Sequence, residues 1–309
     1  MSDSRHLPLS RRSFMRQIGM GIAALATSQL PGTARASEAL TTDTDAWGML
    51  IDLTRCVGCN SCALACKESN NLSGDGNAPS GLDSRTYTFV DPRQASQGGA
   101  SGTTRYVKRQ CMHCVEAACV AACPAAAMYR SDQGPIIYRA ERCLGCRYCQ
   151  VACPFDIPRF EWNNGVTPRI TKCWLCYERR QDGQRPACVE ACPCGALRFG
   201  YRRELLAQAH GRIDSNPGRY LDHVLGEWEV GGTSVLYLSD VAFELLGFPS
   251  GLPRTAALQE TEKIMQTLPF VIPGVTLLMI GSAVQSRRRV SADATHQTPA
   301  DPAVDRQEI

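Results

Sequence analysis

The sequence predicts an α+β fold of small sheets and short helices, ending in a single transmembrane helix. Three observations lead there. Sixteen of the seventeen cysteines fall into four groups of four, short strand candidates flank the groups, and no charged residue occurs between Ile264 and Ser286. With 44% hydrophobic and 20% charged residues, the 309-residue chain has the composition of a globular protein rather than a disordered one. Its cysteines are several times denser than in an ordinary intracellular enzyme, and the chain is too long for a small disulfide-stapled scaffold. That density asks for metal.

At the N-terminus, Ser10, Arg11, Arg12, Ser13, Phe14 and Met15 precede an apolar stretch from Ile18 to Leu30, followed by Ala34, Arg35 and Ala36. A basic region, a short apolar core and a small-x-small cleavage site are the three parts of an export signal. The arginine pair resembles the twin-arginine signal, which exports proteins already folded. Residues 1–36 are therefore expected to be removed. They carry five arginines against Asp3, a balance of +4, so the chain of net charge +3 leaves a body of −1. A near-neutral body has no electrostatic footprint for nucleic acid, which excludes DNA and RNA as partners.

The first cysteine group is Cys56, Cys59, Cys62 and Cys66, spaced x2, x2, x3. The second, Cys111, Cys114, Cys119 and Cys123, widens the middle gap to x4. The third, Cys143, Cys146, Cys149 and Cys153, returns to x2, x2, x3, and the fourth stretches the middle gap to eleven residues: Cys173, Cys176, Cys188 and Cys192. Pro124, Pro154 and Pro193 follow three of the last cysteines. C-x2-C-x2-C-x3-C-P is the bacterial ferredoxin run. There a tight loop wraps a [4Fe-4S] cube with three thiolates and the fourth cysteine reaches the other cube of a pair. Soft thiolates suit iron-sulfur clusters, and Val57-Gly58 and Leu144-Gly145 allow close backbone approach. Zinc takes four ligands per ion, which three groups of closely spaced cysteines fit poorly. Cysteines two residues from a neighbour on both sides make poor disulfides. Cys194, the odd one out, reads as a small packed thiol, with a spare ligand as the alternative.

Strand candidates are Trp47 to Asp52, Thr104 to Lys108, Ala127 to Arg130, Pro135 to Tyr138, Arg159 to Trp162 and Ala196 to Phe199. Asn60 to Ser69 and Glu116 to Ala122 are long enough for one or two helical turns. Elements this short leave the clusters to contribute much of the folding free energy. Asn70 to Thr103, rich in Ser, Gly and Asn, reads as a long surface insertion. At the other end the uncharged window 264–286 just crosses a hydrocarbon core of about 30 Å at about 1.5 Å per residue, with a buried core helix as the alternative reading. Arg287, Arg288 and Arg289 follow it and set the tail, 287–309, in the cytoplasm.

From about Trp47 to Pro249 these residues resemble the four-cluster, ferredoxin-type subunits of respiratory oxidoreductases. The segments RCVGCNSCALAC, KRQCMHCVEAACVAACPAAA, CRYCQVACPFDIPRF, ACVEACPCGALRFG and GGTSVLYLSD carry the likeness. An own export signal, four motifs and one C-terminal span together look most like the iron-sulfur protein of hydrogenase 2 type uptake hydrogenases; formate dehydrogenase beta subunits come next, and subunits of sulfur-compound or other molybdenum oxidoreductases after them. The resemblance implies two interleaved ferredoxin-like modules in 37–205, with outer motifs 56–66 and 173–192 and inner motifs 111–153, and a partner-docking extension over 206–263. It implies four [4Fe-4S] clusters. One sits on Cys56, Cys59, Cys62 and Cys192, its partner on Cys173, Cys176, Cys188 and Cys66. The inner pair takes Cys111, Cys114, Cys119 with Cys153, and Cys143, Cys146, Cys149 with Cys123. The chain departs from the pattern at Cys194 and at Lys67, where the other motifs have proline.

His113 stands between two of these cysteines, placed to bond to cluster sulfur or to be solvated. Lys67, Lys108, Arg109, Arg142, Arg147 and Lys172 lie close enough in sequence to raise reduction potentials. Four full sets of thiolates leave no open iron, and there is no nucleophile–base constellation, phosphate loop or flavin fingerprint. The expectation is thus no catalysis by this chain alone. It is a relay on the periplasmic side of the inner membrane, between a catalytic subunit (hydrogenase small subunit or formate dehydrogenase alpha type) and a membrane quinone-reactive subunit. A self-sufficient membrane-anchored reductase is the competing reading.

Overall fold

The computed structural model describes residues 46–72, 76–95, 102–165, 169–256 and 271–286, all within one unit, Asp43–Ile309. At its centre lies a three-stranded sheet in the order β8-β1-β9. β1 (Trp47–Asp52) runs antiparallel to β8 (Leu197–Tyr201), pairing Met49 with Phe199, and parallel to β9 (Val235–Leu238), pairing Leu50 with Leu236. Met49, Leu50, Ile51 and Asp52 are all buried, so burial is continuous along this central strand rather than alternating, as for a strand covered on both faces.

Helix α6 (Arg202–Ser215) covers one face through Leu205 and Ala209, which share one side of the helix and meet Leu50, Leu236 and Leu238. Asp52 ties the helix down. Fully buried, it accepts hydrogen bonds from Arg212 Nη1 at 2.8 Å, Tyr220 Oη at 3.0 Å and Thr54 Oγ1 at 2.6 Å.

The remaining sheets are two-stranded ribbons: β2 (Phe89–Ala95) with β3 (Thr103–Arg109), β4 (Met128–Arg130) with β5 (Ile136–Tyr138), and β6 (Arg159–Phe160) with β7 (Ile170–Thr171). Between them lie short helices: α1 (Ser61–Ser69), α2 (Ala118–Ala121), α3 (Tyr148–Val151), α4 (Tyr177–Gln181) and α5 (Ala187–Glu190). Proline sets their lengths. The residue before a proline is kept out of the α region, so the prolines at 124, 154 and 193 stop α2, α3 and α5 ahead of Cys123, Cys153 and Cys192. Lys67 imposes no such stop, and α1 runs on through Cys66 to Ser69.

The segment expected to be a surface insertion is corrected in part. Phe89–Ala95 within it forms β2, and Tyr87, Thr88 and Val90 are buried. Pro92 sits in β2 because the ribbon has a free edge, where a missing N–H costs little.

Residues 1–36, 264–270 and 287–309, which carry the expected signal, the start of the expected span and the tail, lie outside the described residues. A helix is described over 271–286. Among the described residues no helix is long and apolar enough to cross a membrane.

Candidate iron-sulfur centres

Four cages of thiols emerge when each cysteine is traced to its neighbours. Cage 1 is a pocket lined by Cys56, Cys59, Cys62 and Cys192, with Ile51, Val90 and Leu197 beside them. Cage 4 is a pocket lined by Cys123, Cys143, Cys146 and Cys149, with Met128, Tyr138 and Ile170 beside them. In cage 2, the thiols that press on Cys66 are Cys173, Cys188 and Cys176. In cage 3, those that press on Cys114 are Cys111, Cys153 and Cys119. All sixteen cysteines of the four motifs are thereby grouped, each cage drawing one member from a distant motif. Among the described residues no three His, Cys, Asp or Glu side chains converge on a single metal ion.

The cages form a row. Cys62 of cage 1 feels Cys188 of cage 2. Cys66 and Cys173 of cage 2 share an apolar cluster with Cys111 and Cys153 of cage 3. Cys119 of cage 3 packs with Cys149 of cage 4. Only Cys59 and Cys146 are exposed, and they belong to the two end cages.

Backbone conformation repeats with the motifs. The residue before each second cysteine is left-handed: Gly58 at φ 73°, His113 at 48°, Gly145 at 69° and Leu175 at 57°. Three residues beyond Cys123, Cys153 and Cys192 the same happens at Ala126, Asp156 and Gly195. Left-handed residues in tight loops turn consecutive N–H groups inward as a nest, a recurrent way to hold an anionic iron-sulfur cluster. Here the N–H groups point at sulfur. Gly145 N–H donates to Cys143 Sγ at 3.4 Å, Leu175 N–H to Cys173 Sγ at 3.3 Å and Ala127 N–H to Cys123 Sγ at 3.2 Å. Gly58 has a second reason to be glycine, since a Cβ there would lie 2.4 Å from the Tyr106 ring.

Electrostatically the cages penalise bare thiolates. Burial pushes the Cys62 and Cys149 thiols up to about 11 and those of Cys119 and Cys173 to about 12. Exposed Cys59 moves the other way, lowered by its hydrogen bond to the Ser61 side chain. Sulfur ligands crowded in apolar space ask for a cationic centre to compensate them, which iron supplies. One polar atom points the same way. His113 is fully buried, so it is not the solvated residue that the sequence left open. Its Nδ1 accepts the Ile136 N–H at 3.0 Å, which puts its proton on Nε2, and that N–H has no acceptor among the described protein atoms. Burial, with Lys172 and Arg130 nearby, keeps the ring neutral. The donor set, the nests and the orphaned N–H all fit [4Fe-4S] cubes.

The basic residues divide. Arg142 and Arg147 are exposed, Arg147 lying over the Trp162 ring at 4.9 Å, and Lys67 and Arg109 are half-buried. Lys108 and Lys172 are buried. Cys194 also lines cage 1, its Sγ 3.7 Å from that of Cys192. Sequence reasoning missed Tyr87, Thr88 and Asn70. Asn70 donates to the Cys66 carbonyl at 2.8 Å and accepts from Trp174 Nε1 at 3.2 Å, bridging the first and fourth motifs. Nothing in a Ser/Gly-rich run marks such residues.

A family model for a 4Fe-4S dicluster domain matches residues 103–202. The chain is 37% identical over 304 residues to a protein of Nitratidesulfovibrio vulgaris (strain Hildenborough), covering 94% of this chain and 81% of the relative. It is 34% identical over 319 residues to the hydrogenase-2 operon protein HybA of Escherichia coli O157:H7, covering 88% and 95%. With the iron-sulfur subunit of the nitrate-inducible formate dehydrogenase of Escherichia coli (strain K12) it shares 36% over 201 residues, covering 61% and 66%.

Proposed function

The chain belongs to the family of 4Fe-4S iron-sulfur proteins that includes HybA and the iron-sulfur subunits of formate dehydrogenases, and we propose that it is the four-cluster relay of a membrane-bound respiratory complex. The observation that carries this reading is the row of four cages with exposed thiols only at its two ends. The ligands assigned are Cys56, Cys59, Cys62 and Cys192 for cage 1; Cys66, Cys173, Cys176 and Cys188 for cage 2; Cys111, Cys114, Cys119 and Cys153 for cage 3; and Cys123, Cys143, Cys146 and Cys149 for cage 4. When bound, each [4Fe-4S] cluster supplies storage for one electron. The protein's part is to hold neighbouring sites close, shut water out of the middle two and open the outer two to partners.

The partners proposed are a catalytic subunit, a hydrogenase in the HybA-like reading and a formate dehydrogenase in the alternative, and a quinone-reactive membrane subunit. Similarity to HybA along 88% of this chain, against 61% for the formate dehydrogenase subunit, favours hydrogenase. The location proposed is the periplasmic face of the inner membrane, reached through the twin-arginine signal in 1–36 and anchored by 264–286. The helix over 271–286 supports the anchor: Val271, Ile272, Leu277, Leu278, Met279 and Ile280 are all more than half exposed. An apolar surface of that kind calls for lipid or a partner.

The test uses the intact complex. Changing Cys149→Ser should abolish quinone reduction in membranes yet leave the catalytic subunit able to reduce a soluble dye. Oxidation of hydrogen or formate by the isolated chain with an artificial acceptor would instead establish a self-sufficient reductase.

A further inference from the structure

Lys108 is the most completely buried cation among the described residues, 1% exposed near the end of β3. Its ammonium donates to Thr88 Oγ1 at 2.8 Å and to Gln110 Oε1, both neutral, and it forms no ion pair among the described residues. The backbone holds it in place, since Tyr237 Oη donates to the Lys108 carbonyl at 2.6 Å. A buried ammonium with neutral partners alone costs several kcal/mol, so a lysine held this firmly implies a nearby negative charge. The structure shows where that charge can lie. Lys108 lines cage 1 beside Cys62. It also acts on Cys66, Cys173 and Cys176, and its own charge is favoured most by Cys188 and Cys62, despite the opposing cost of burial. Every thiol of cage 2 and the inner edge of cage 1 thus face one fixed positive charge.

Resting on the four-cluster reading above, we propose that Lys108 is the shared counter-charge of cages 1 and 2, a positioning residue that raises the reduction potentials of both clusters together. Gaining an electron makes a thiolate-ligated cluster more negative, and a buried cation shared by two such sites favours that gain at each, unscreened by water. Arg142 and Arg147, exposed beside cage 4, are screened and do not substitute for it. Lys172, the other buried lysine, donates to the carbonyls of Ile136 at 2.5 Å and Cys173 at 3.0 Å and acts on Cys119 of cage 3. Lys108 is not among the main influences on the thiols of Cys114, Cys119, Cys149 or Cys153 in cages 3 and 4.

The experiment is a redox titration followed by electron paramagnetic resonance on the purified full complex, with iron counted in parallel. Lys108→Met keeps the length of the side chain and removes the charge; Lys108→Arg keeps the charge. With iron retained, Lys108→Met should move two of this chain's four midpoints to more negative values, each by at least a tenfold change in reduction equilibrium, about 59 mV for one electron. The other two should stay, and Lys108→Arg should restore the pair. A purely packing role would leave all four potentials unchanged at full iron content, and that result overturns the proposal. If Lys108→Met loses iron, Lys108→Gln decides: it keeps a hydrogen-bond donor toward Thr88 without the charge and should lower the same two midpoints, and unchanged midpoints there overturn the proposal as well. Failure of the wild-type chain to carry four clusters is a different outcome, which refutes the four-cluster reading and the proposal with it.

Discussion

Gly58 offers a direct way to test how tightly cage 1 is built, because two penalties coincide there and can be separated. Alanine at this position must hold φ near 73°, which costs an L-residue about 1–2 kcal/mol, and its Cβ must fit where the Tyr106 ring lies at 2.4–2.7 Å. Overpacking of that kind adds about 1–3 kcal/mol. Gly195 is the control. At φ 60° it carries the same backbone penalty, but the nearest atom to a new Cβ is Arg55 Nη2 at 3.7 Å, an ordinary contact. The Gly58→Ala variant should therefore be worse than Gly195→Ala by the crowding alone, about 1–3 kcal/mol. The assay is the half-life of the visible cluster absorption, under anaerobic conditions at one fixed guanidinium concentration. The crowding corresponds to a half-life about five- to 160-fold shorter for Gly58→Ala, if opening of the loop relieves it. Equal half-lives for the two variants would refute the claim that the loop is closed against Tyr106.

Three further outcomes follow from named contacts. Asp52→Ala strands the Arg212 guanidinium and the Tyr220 hydroxyl and should cost about 3 kcal/mol, read as a melting temperature lower by about 6–12 °C. His223 is raised above 6.5 by its hydrogen bond to Glu229 at 2.5 Å, and Glu229 is lowered below 4.5 by that bond and the Gly226 N–H, against the opposing effect of burial. The histidine's contribution is complete below pH 6.5 and lost as pH rises through its folded value; the glutamate's is complete above pH 4.5 and lost as pH falls. Wild type should thus exceed His223→Gln in thermal stability most between pH 4.5 and 6.5, with the gap closing in alkaline buffer. Cys194→Ser should leave the iron content unchanged if cage 1 is completed by Cys192, and loss of a cluster would make Cys194 a ligand.

What the sequence made legible was local. β1 was readable from Trp47 to Asp52 as a short strand, and Asn60 to Ser69 as one or two helical turns, because each rests on neighbouring residues. The cysteine groups were readable for the same reason. β2 was hidden because Asp91, Pro92 and a run of Ser and Gly mark turns by composition, while the strand is made by pairing with β3. α6 was hidden because its buried face is narrow, Leu205 and Ala209 beside a buried Arg202 whose Nε donates to the Thr233 carbonyl at 2.8 Å. Which motif lends its last cysteine to which cage came from resemblance rather than spacing, since the exchange is a property of how the chain threads. Lys108 and Lys172 could not be separated from Arg142 and Arg147 by sequence, because burial decides between a fixed charge and a screened one.

Whether one chain holds four cubes in a row is read from the count of iron and acid-labile sulfide in anaerobically purified protein. About sixteen of each per chain are expected, with visible absorption bleached by dithionite. About eight of each, or zinc in place of iron, would contradict the four-cube arrangement.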